Sequence, residues 1–259
     1  MSDKRKVLFV VTNHEELGDT GKKTGYFLRE VSYPYKAISE AGYSIDFVSP
    51  KGGPAPMDPN SNDMDDEVNK AFTDDKSIMN RLQNTMSPNE INPDDYAAIM
   101  YAGGHGTVWD FPDCEALSKI AVNIYERGGV LGAICHGPAG LVNMRLSDGS
   151  FLVAGKRVSA FTDDEERHVK LENVVPFLLA STLEERGAIH TKAENFKPHV
   201  EIDGRLVTAQ NPPSAKSMGE AMVKVLSENS LVIAGYINVT NHRQLLRRYQ
   251  RLYSFYIAF

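Results

Sequence analysis

A cysteine followed directly by a histidine, Cys135-His136, closes the apolar run Gly128-Gly129-Val130-Leu131-Gly132-Ala133-Ile134 and opens onto Gly137-Pro138-Ala139-Gly140. The run reads as a buried strand carrying Val130, Leu131 and Ile134, and the Gly-Pro pair turns the chain at once into a helix. The product is a nucleophile elbow of the strand-turn-helix kind that serine hydrolases use, with sulfur in place of oxygen. At a helix N-terminus the sulfur meets backbone N–H donors and the positive end of the helix dipole, both of which favour the reactive thiolate. Cysteine-based nucleophilic catalysis is the predicted chemistry. Cys114 follows Pro112-Asp113 at a predicted helix start and has no titratable partner beyond surface acids, so it reads as an ordinary part-buried cysteine. No disulfide between the two is expected.

A nucleophile needs a base, an orienting group and donors for negative charge. His136 is the candidate base, and one carboxylate of Asp163-Asp164-Glu165-Glu166, after the apolar segment Val158 to Phe161, would fix its tautomer. The rest of that cluster reads as acids at a helix start. The loop Gly103-Gly104-His105-Gly106 follows the strand Ala98 to Ala102, and its glycines let backbone approach a ligand closely. The N–H groups of Gly104 and His136 are the predicted oxyanion donors, with Gly103 and His105 beside them on the substrate side. His14, Glu15, Glu16 and His105 lack ligand spacing of high specificity, so no required metal and no cofactor is expected. His199-Val200-Glu201 is a nominal His-x-Glu pair of amidase type, but its alternate positions in a hairpin strand give it a structural reading.

These residues need a scaffold that gathers loops at one edge. Short apolar strands at Val7 to Val11, Ser44 to Val48, Ala97 to Tyr101, Val130 to Ile134 and Val158 to Phe161 alternate with helix-length segments. That alternation predicts one α/β domain with a mostly parallel sheet flanked by helices and sites at strand ends. His199 to Ala209 reads as a hairpin turning at Asp203-Gly204 in a type I′ turn, and the Pro/Gly-rich segment Ser49 to Asn62 as a loop that covers a site. The chain of 259 residues is 42% hydrophobic with a net charge of −6, which disfavours general nucleic-acid or anionic-membrane binding and favours a small-molecule partner. No stretch has the ~18 apolar residues of a membrane span. Two cysteines and the absence of a signal-peptide pattern predict a reducing cytoplasm. Residues 230–259, with Arg243, Arg247, Arg248 and Arg251 and no acid, read as a separate basic, aromatic extension to the 1–229 domain, helical through Leu245, Leu246, Tyr249, Leu252 and Tyr253.

The elbow Ala133-Ile134-Cys135-His136-Gly137-Pro138, the loop Ala102-Gly103-Gly104-His105-Gly106 and the segment Ala160-Phe161-Thr162-Asp163 resemble the ThiJ/PfpI superfamily, related to class I glutamine amidotransferases. Thr20 to Gly25, Asp46 to Pro50, Asn173 to Phe177, Asp203 to Thr208 and Gln210-Asn211-Pro212 point within it to the glyoxalase III and heat-shock chaperone branch. The resemblance implies a flavodoxin-like sandwich and a triad of Cys135, His136 and Glu166, with Glu165 as the alternative orienter. It also implies a protonated carboxyl, Glu30, facing the sulfur from the first helix; by sequence alone Glu30 looks like a surface acid. The implied activity is cofactor-independent conversion of methylglyoxal and related 2-oxoaldehydes to 2-hydroxy acids. A homodimer is expected, and a holding chaperone for unfolded clients, or a deglycase, is the alternative; an amidase or peptidase ranks below both.

Overall fold

The computed structural model describes residues 6–229. The expected extension 230–259, its helix and its docking therefore lie outside the described residues. Among the described residues eight strands are formed: β1 (Lys6–Val10), β2 (Ser44–Val48), β3 (Ala98–Tyr101), β4 (Val130–Ile134), β5 (Arg157–Val158), β6 (Ile189–His190), β7 (Val200–Asp203) and β8 (Leu206–Ala209). The helices are α1 (Leu28–Glu40), α2 (Glu67–Asp74), α3 (Lys76–Gln83), α4 (Thr107–Asp110), α5 (Glu115–Glu126), α6 (Asp163–His168), α7 (Leu179–Glu185) and α8 (215–229). Six strands make one sheet in the order β2-β1-β3-β4-β8-β7, parallel except for β7.

Strand alternation divides the core into two layers. Val7 and Phe9 of β1, with Ala98 and Met100 of β3, pack beneath Val31 and Ile38 of α1 and Met218 and Met222 of α8. Leu8 and Val10, with Ile99 and Tyr101, face the other way onto Leu117, Ile120 and Ile124 of α5 and Leu183 of α7. Side chains on successive strand residues point to opposite faces, so near-continuous apolar strands mark a sheet covered on both sides. The chain winds to β2 on one side of β1 and then crosses to β3 on the other, and ligand sites of open α/β sheets form at such a switch.

Two expectations are corrected. Val158 to Phe161 is no member of the main sheet: only Arg157–Val158 forms a strand, paired with β6 in a separate two-stranded sheet. The hairpin occupies the vacant place beside β4, and the segment instead docks laterally, Ser159 N–H donating to Thr208 Oγ1 (2.8 Å) and Phe161 N–H to the Cys135 carbonyl (2.9 Å). In the hairpin, Asp203 pairs with Leu206, so Gly204 and Arg205 form the turn. Only Gly204 has a positive φ, the pattern of a type II′ rather than a type I′ turn.

Candidate active site

Register brings the first pieces together. Tyr101 of β3 lies opposite Ala133 of β4, and continuing that parallel register by two residues sets Gly103 level with Cys135. A Cβ on Gly103 would fall 2.9 Å from the Cys135 Cβ and would overlap the Glu30 carboxyl and the Ile134 carbonyl, so glycine is required there. Gly104 has φ +107, and a Cβ on it would strike the Gly25 carbonyl and the Phe27 N–H. Behind that contact the 49–62 loop braces the segment 24–28: Tyr26 N–H donates to Pro56 and Asp58 N–H to Tyr26, at 2.8 and 2.9 Å. The loop expected to cover the site thus supports it from behind.

Cys135 itself has φ +57, a left-handed conformation rare for a side chain with a Cβ. That sharp turn leads into the expected helix, a five-residue 3₁₀ turn over Gly137–Leu141. Cys135 is 3% exposed, and burial pushes its thiol well above the usual cysteine range. The expected preference of the elbow for thiolate over thiol is thus opposed by burial. His136 Nδ1 lies 3.4 Å from Sγ. Its Nε2 lies 2.7 Å from Glu166 Oε2. Burial and the His105 ring lower its basicity, so it rests neutral. Burial opposes ionisation of Glu166, but the His136 and His105 imidazoles outweigh it and hold the carboxyl well below its usual range. A carboxylate only accepts, so each imidazole donates Nε2–H and keeps its lone pair on Nδ1, facing sulfur in the case of His136.

Glu30, in the first turn of α1, is fully buried, and its oxygens make no well-aligned hydrogen bond. Burial, with the charge of Asp58, raises its carboxyl well above the ordinary range, against the Cys135 thiol and the Gly103 N–H, which favour ionisation. Of the cysteine–glutamate pair, Glu30 is the member that keeps its proton: a carboxylate there would have no counter-charge, whereas the sulfur has a proton acceptor beside it. The loop and turn hydrogen bonds among the described residues use neither the Gly104 nor the His136 N–H, leaving both as free donors at the elbow.

Glu165 and Glu166 are adjacent but face different ways. Glu165 closes a capping box with Thr162 and also accepts from Phe196 N–H (2.7 Å), Gln210 Nε2 (3.0 Å) and Asn211 Nδ2 (2.8 Å). Glu166 is the one that reaches His136.

Sequence reasoning missed that Glu166 serves two imidazoles. His105 Nε2 lies 2.9 Å from Glu166 Oε1, and the His105 and His136 rings sit with centroids 4.1 Å apart. His105, His136 and Glu166 put one ligand atom each within 4.8 Å of one another, a donor set a divalent cation can take; as found, they satisfy each other. Of the strand-end residues weighed as ligands, only His105 joins this group. His14 instead stacks on Trp109 at 4.8 Å. Cys114 caps α5, and burial raises its thiol. Glu201 is held by Arg157 through two 3.0 Å bonds, which supports the structural reading of the His199–Glu201 pair. Phe161 lies against both active-site imidazoles, 4.5 Å from His136 and 6.0 Å from His105.

Among solved structures, the Francisella tularensis Rapid Encystment Protein is 40% identical, with a TM-score of 0.83 over 86% of this chain and 99% of that one. The structure of glyoxalase III from Candida albicans is 30% identical, with a TM-score of 0.80 over 86% of this chain and 97% of its own. A probable glutathione-independent glyoxalase of Schizosaccharomyces pombe is 36% identical over 240 residues, 80% of this chain and 92% of the relative. No helix among the described residues is long and apolar enough to cross a membrane. With the DJ-1/PfpI family pattern matched across residues 24–225, loops and elbow included, the chain belongs to the DJ-1/PfpI family.

Proposed function

We propose that the chain is a glutathione-independent glyoxalase that converts methylglyoxal and related 2-oxoaldehydes to 2-hydroxy acids such as lactate through Cys135. The observation that carries this reading is the relay from Cys135 Sγ to His136 to Glu166, with Glu30 against the thiol, in a fold shared with a glyoxalase III. His136 Nδ1 takes the thiol proton as sulfur adds to the aldehyde carbon, and returns it to the new oxyanion, which the Gly104 and His136 N–H groups receive. Neutral again, His136 removes the C–H proton of the hemithioacetal carbon and delivers it to the adjacent carbon through an enediol, while the Glu30 carboxyl donates its proton to the neighbouring carbonyl oxygen and takes one back from the hemithioacetal hydroxyl. The resulting thioester is hydrolysed, so that oxoaldehyde and water become hydroxy acid.

The test is methylglyoxal consumption with chiral lactate detection, without glutathione. Cys135→Ala is expected to abolish turnover and Cys114→Ala to retain most of it. Equal loss in both variants overturns the assignment. Suppression of client aggregation that survives Cys135→Ala in a protein with no glyoxalase turnover would favour a holding chaperone instead.

A further inference from the structure

The proposed reaction has two halves with different proton demands. In the first, a proton moves between neighbouring carbons of a substrate already bonded to sulfur. In the second, a water molecule attacks the thioester and has to lose a proton as it does so. His136 suits the first half: its side chain is 1% exposed and its Nδ1 faces the sulfur. Water has poor access to it.

His105 has the complementary properties. Its side chain is 17% exposed, and its ring is tilted 41° to that of His136 at the same short centroid distance already described. Among the described residues its only side-chain hydrogen bond runs through Nε2 to Glu166. Glu166 gives one oxygen to each ring and so imposes the same tautomer on both, leaving a second lone pair on His105 Nδ1, in the ring beside His136. A carboxylate shared by two imidazoles has no purpose in a simple triad, which needs one.

We propose that His105 is the base that activates water for hydrolysis of the Cys135 thioester, an inference that rests on the glyoxalase reading above. The water oxygen attacks the thioester carbonyl carbon while its proton passes to His105 Nδ1. The tetrahedral intermediate collapses, the C–S bond breaks, and its electron pair leaves with the Cys135 sulfur. The His105 proton then returns to that sulfur or to solvent, and the hydroxy acid departs. Glu166 stays ionised and stabilises the transient imidazolium.

The experiment treats the full chain with methylglyoxal, quenches it during turnover, and measures the intact mass and the modified peptide. His105→Ala and the bulkier His105→Gln are compared with wild type. Both variants are expected to lose about 10²-fold in steady-state turnover, the usual scale of a general base, yet to accumulate a lactoyl adduct on Cys135 that wild type does not. Hydroxylamine, which needs no base to attack a thioester, is expected to restore product release as the hydroxamate. Wild-type turnover in both variants, or slow turnover with no adduct, overturns the role of His105. A wild-type protein that consumes no methylglyoxal overturns the glyoxalase reading itself, and this proposal with it.

Discussion

Glu30 and Glu165 are both wholly buried, yet their surroundings are opposite. Glu30 has two oxygens without a well-formed partner, beside a thiol. Glu165 receives five donors: Thr162 N–H and Oγ1 on one oxygen, and Phe196 N–H, Gln210 and Asn211 on the other. Depth alone therefore does not define what a buried acid does. An acid without donors is costly to ionise and stays a proton carrier, which suits chemistry. An acid saturated with donors fixes several chain segments relative to one another, which suits architecture. Glu165 ties α6 to the segments around 196 and 210–211, and so holds its neighbour Glu166 against the imidazoles.

Among these buried acids, the largest expected effect comes from Glu30→Gln. The amide is nearly isosteric with the protonated acid, so stability should change little, while turnover should fall by about 10²-fold or more with the loss of a proton donor. The sharper readout is the pH dependence of Cys135 alkylation. If Glu30 carries the proton in the resting protein, the amide is a weaker donor to the thiolate and the apparent thiol pKa rises. If Glu30 is ionised instead, its removal relieves repulsion and the pKa falls. A fall would break the distinction between the two glutamates.

Glu165→Gln tests the other side. The amide offers one acceptor oxygen where the carboxylate offers two, so an N–H group must face at least one of the five donors. Leaving a buried donor unsatisfied costs about 1–3 kcal/mol, which at about 2–4 °C per kcal/mol lowers the melting temperature by roughly 2–12 °C in a domain of this size. The alkylation midpoint of Cys135 should move less than in Glu30→Gln, because Glu165 makes no hydrogen bond to the sulfur and acts on it only as a lesser charge. Unchanged stability with an alkylation midpoint displaced more than in Glu30→Gln would reverse the roles assigned to Glu30 and Glu165.

The contrast also explains what was legible in the sequence. The strand Val130–Ile134, the elbow and the Gly103-Gly104 loop could be read directly, because apolar period, Gly-Pro turn and close-approach glycines are local signals. Glu30 could not: its position in α1 resembles a surface acid, and only the β3–β4 register and the missing Cβ of Gly103 place a carboxyl against sulfur. The separation of Glu165 from Glu166 had one local signal, the capping box of Thr162 with Glu165, but the partners that settle it lie 30 or more residues away in the chain. The segment Val158 to Phe161 misled because an apolar run records burial but not which neighbour supplies the hydrogen bonds; the β7–β8 hairpin had taken the place at β4.

Asp110 stands between the two extremes and gives the smallest effect. It has donors, Thr12 Oγ1 and Asn13 N–H at 2.8 Å each, but burial outweighs them and raises its carboxyl from 3.8 to about 6. Between those values the folded protein holds a proton that the unfolded chain releases. The stabilisation is thus fully present below about pH 3.8 and is lost as pH rises through about 6. Asp110→Asn removes that slope while keeping one acceptor for the two donors. Denaturant unfolding of both proteins at pH 5 and pH 7.5 measures it: the wild type should gain about 1–2 kcal/mol on the variant at the lower pH. A gap between the proteins that stays constant across this range would mean that the donors win at Asp110 and that it belongs with Glu165, whereas a gap that widens toward pH 5 places it on the side of Glu30.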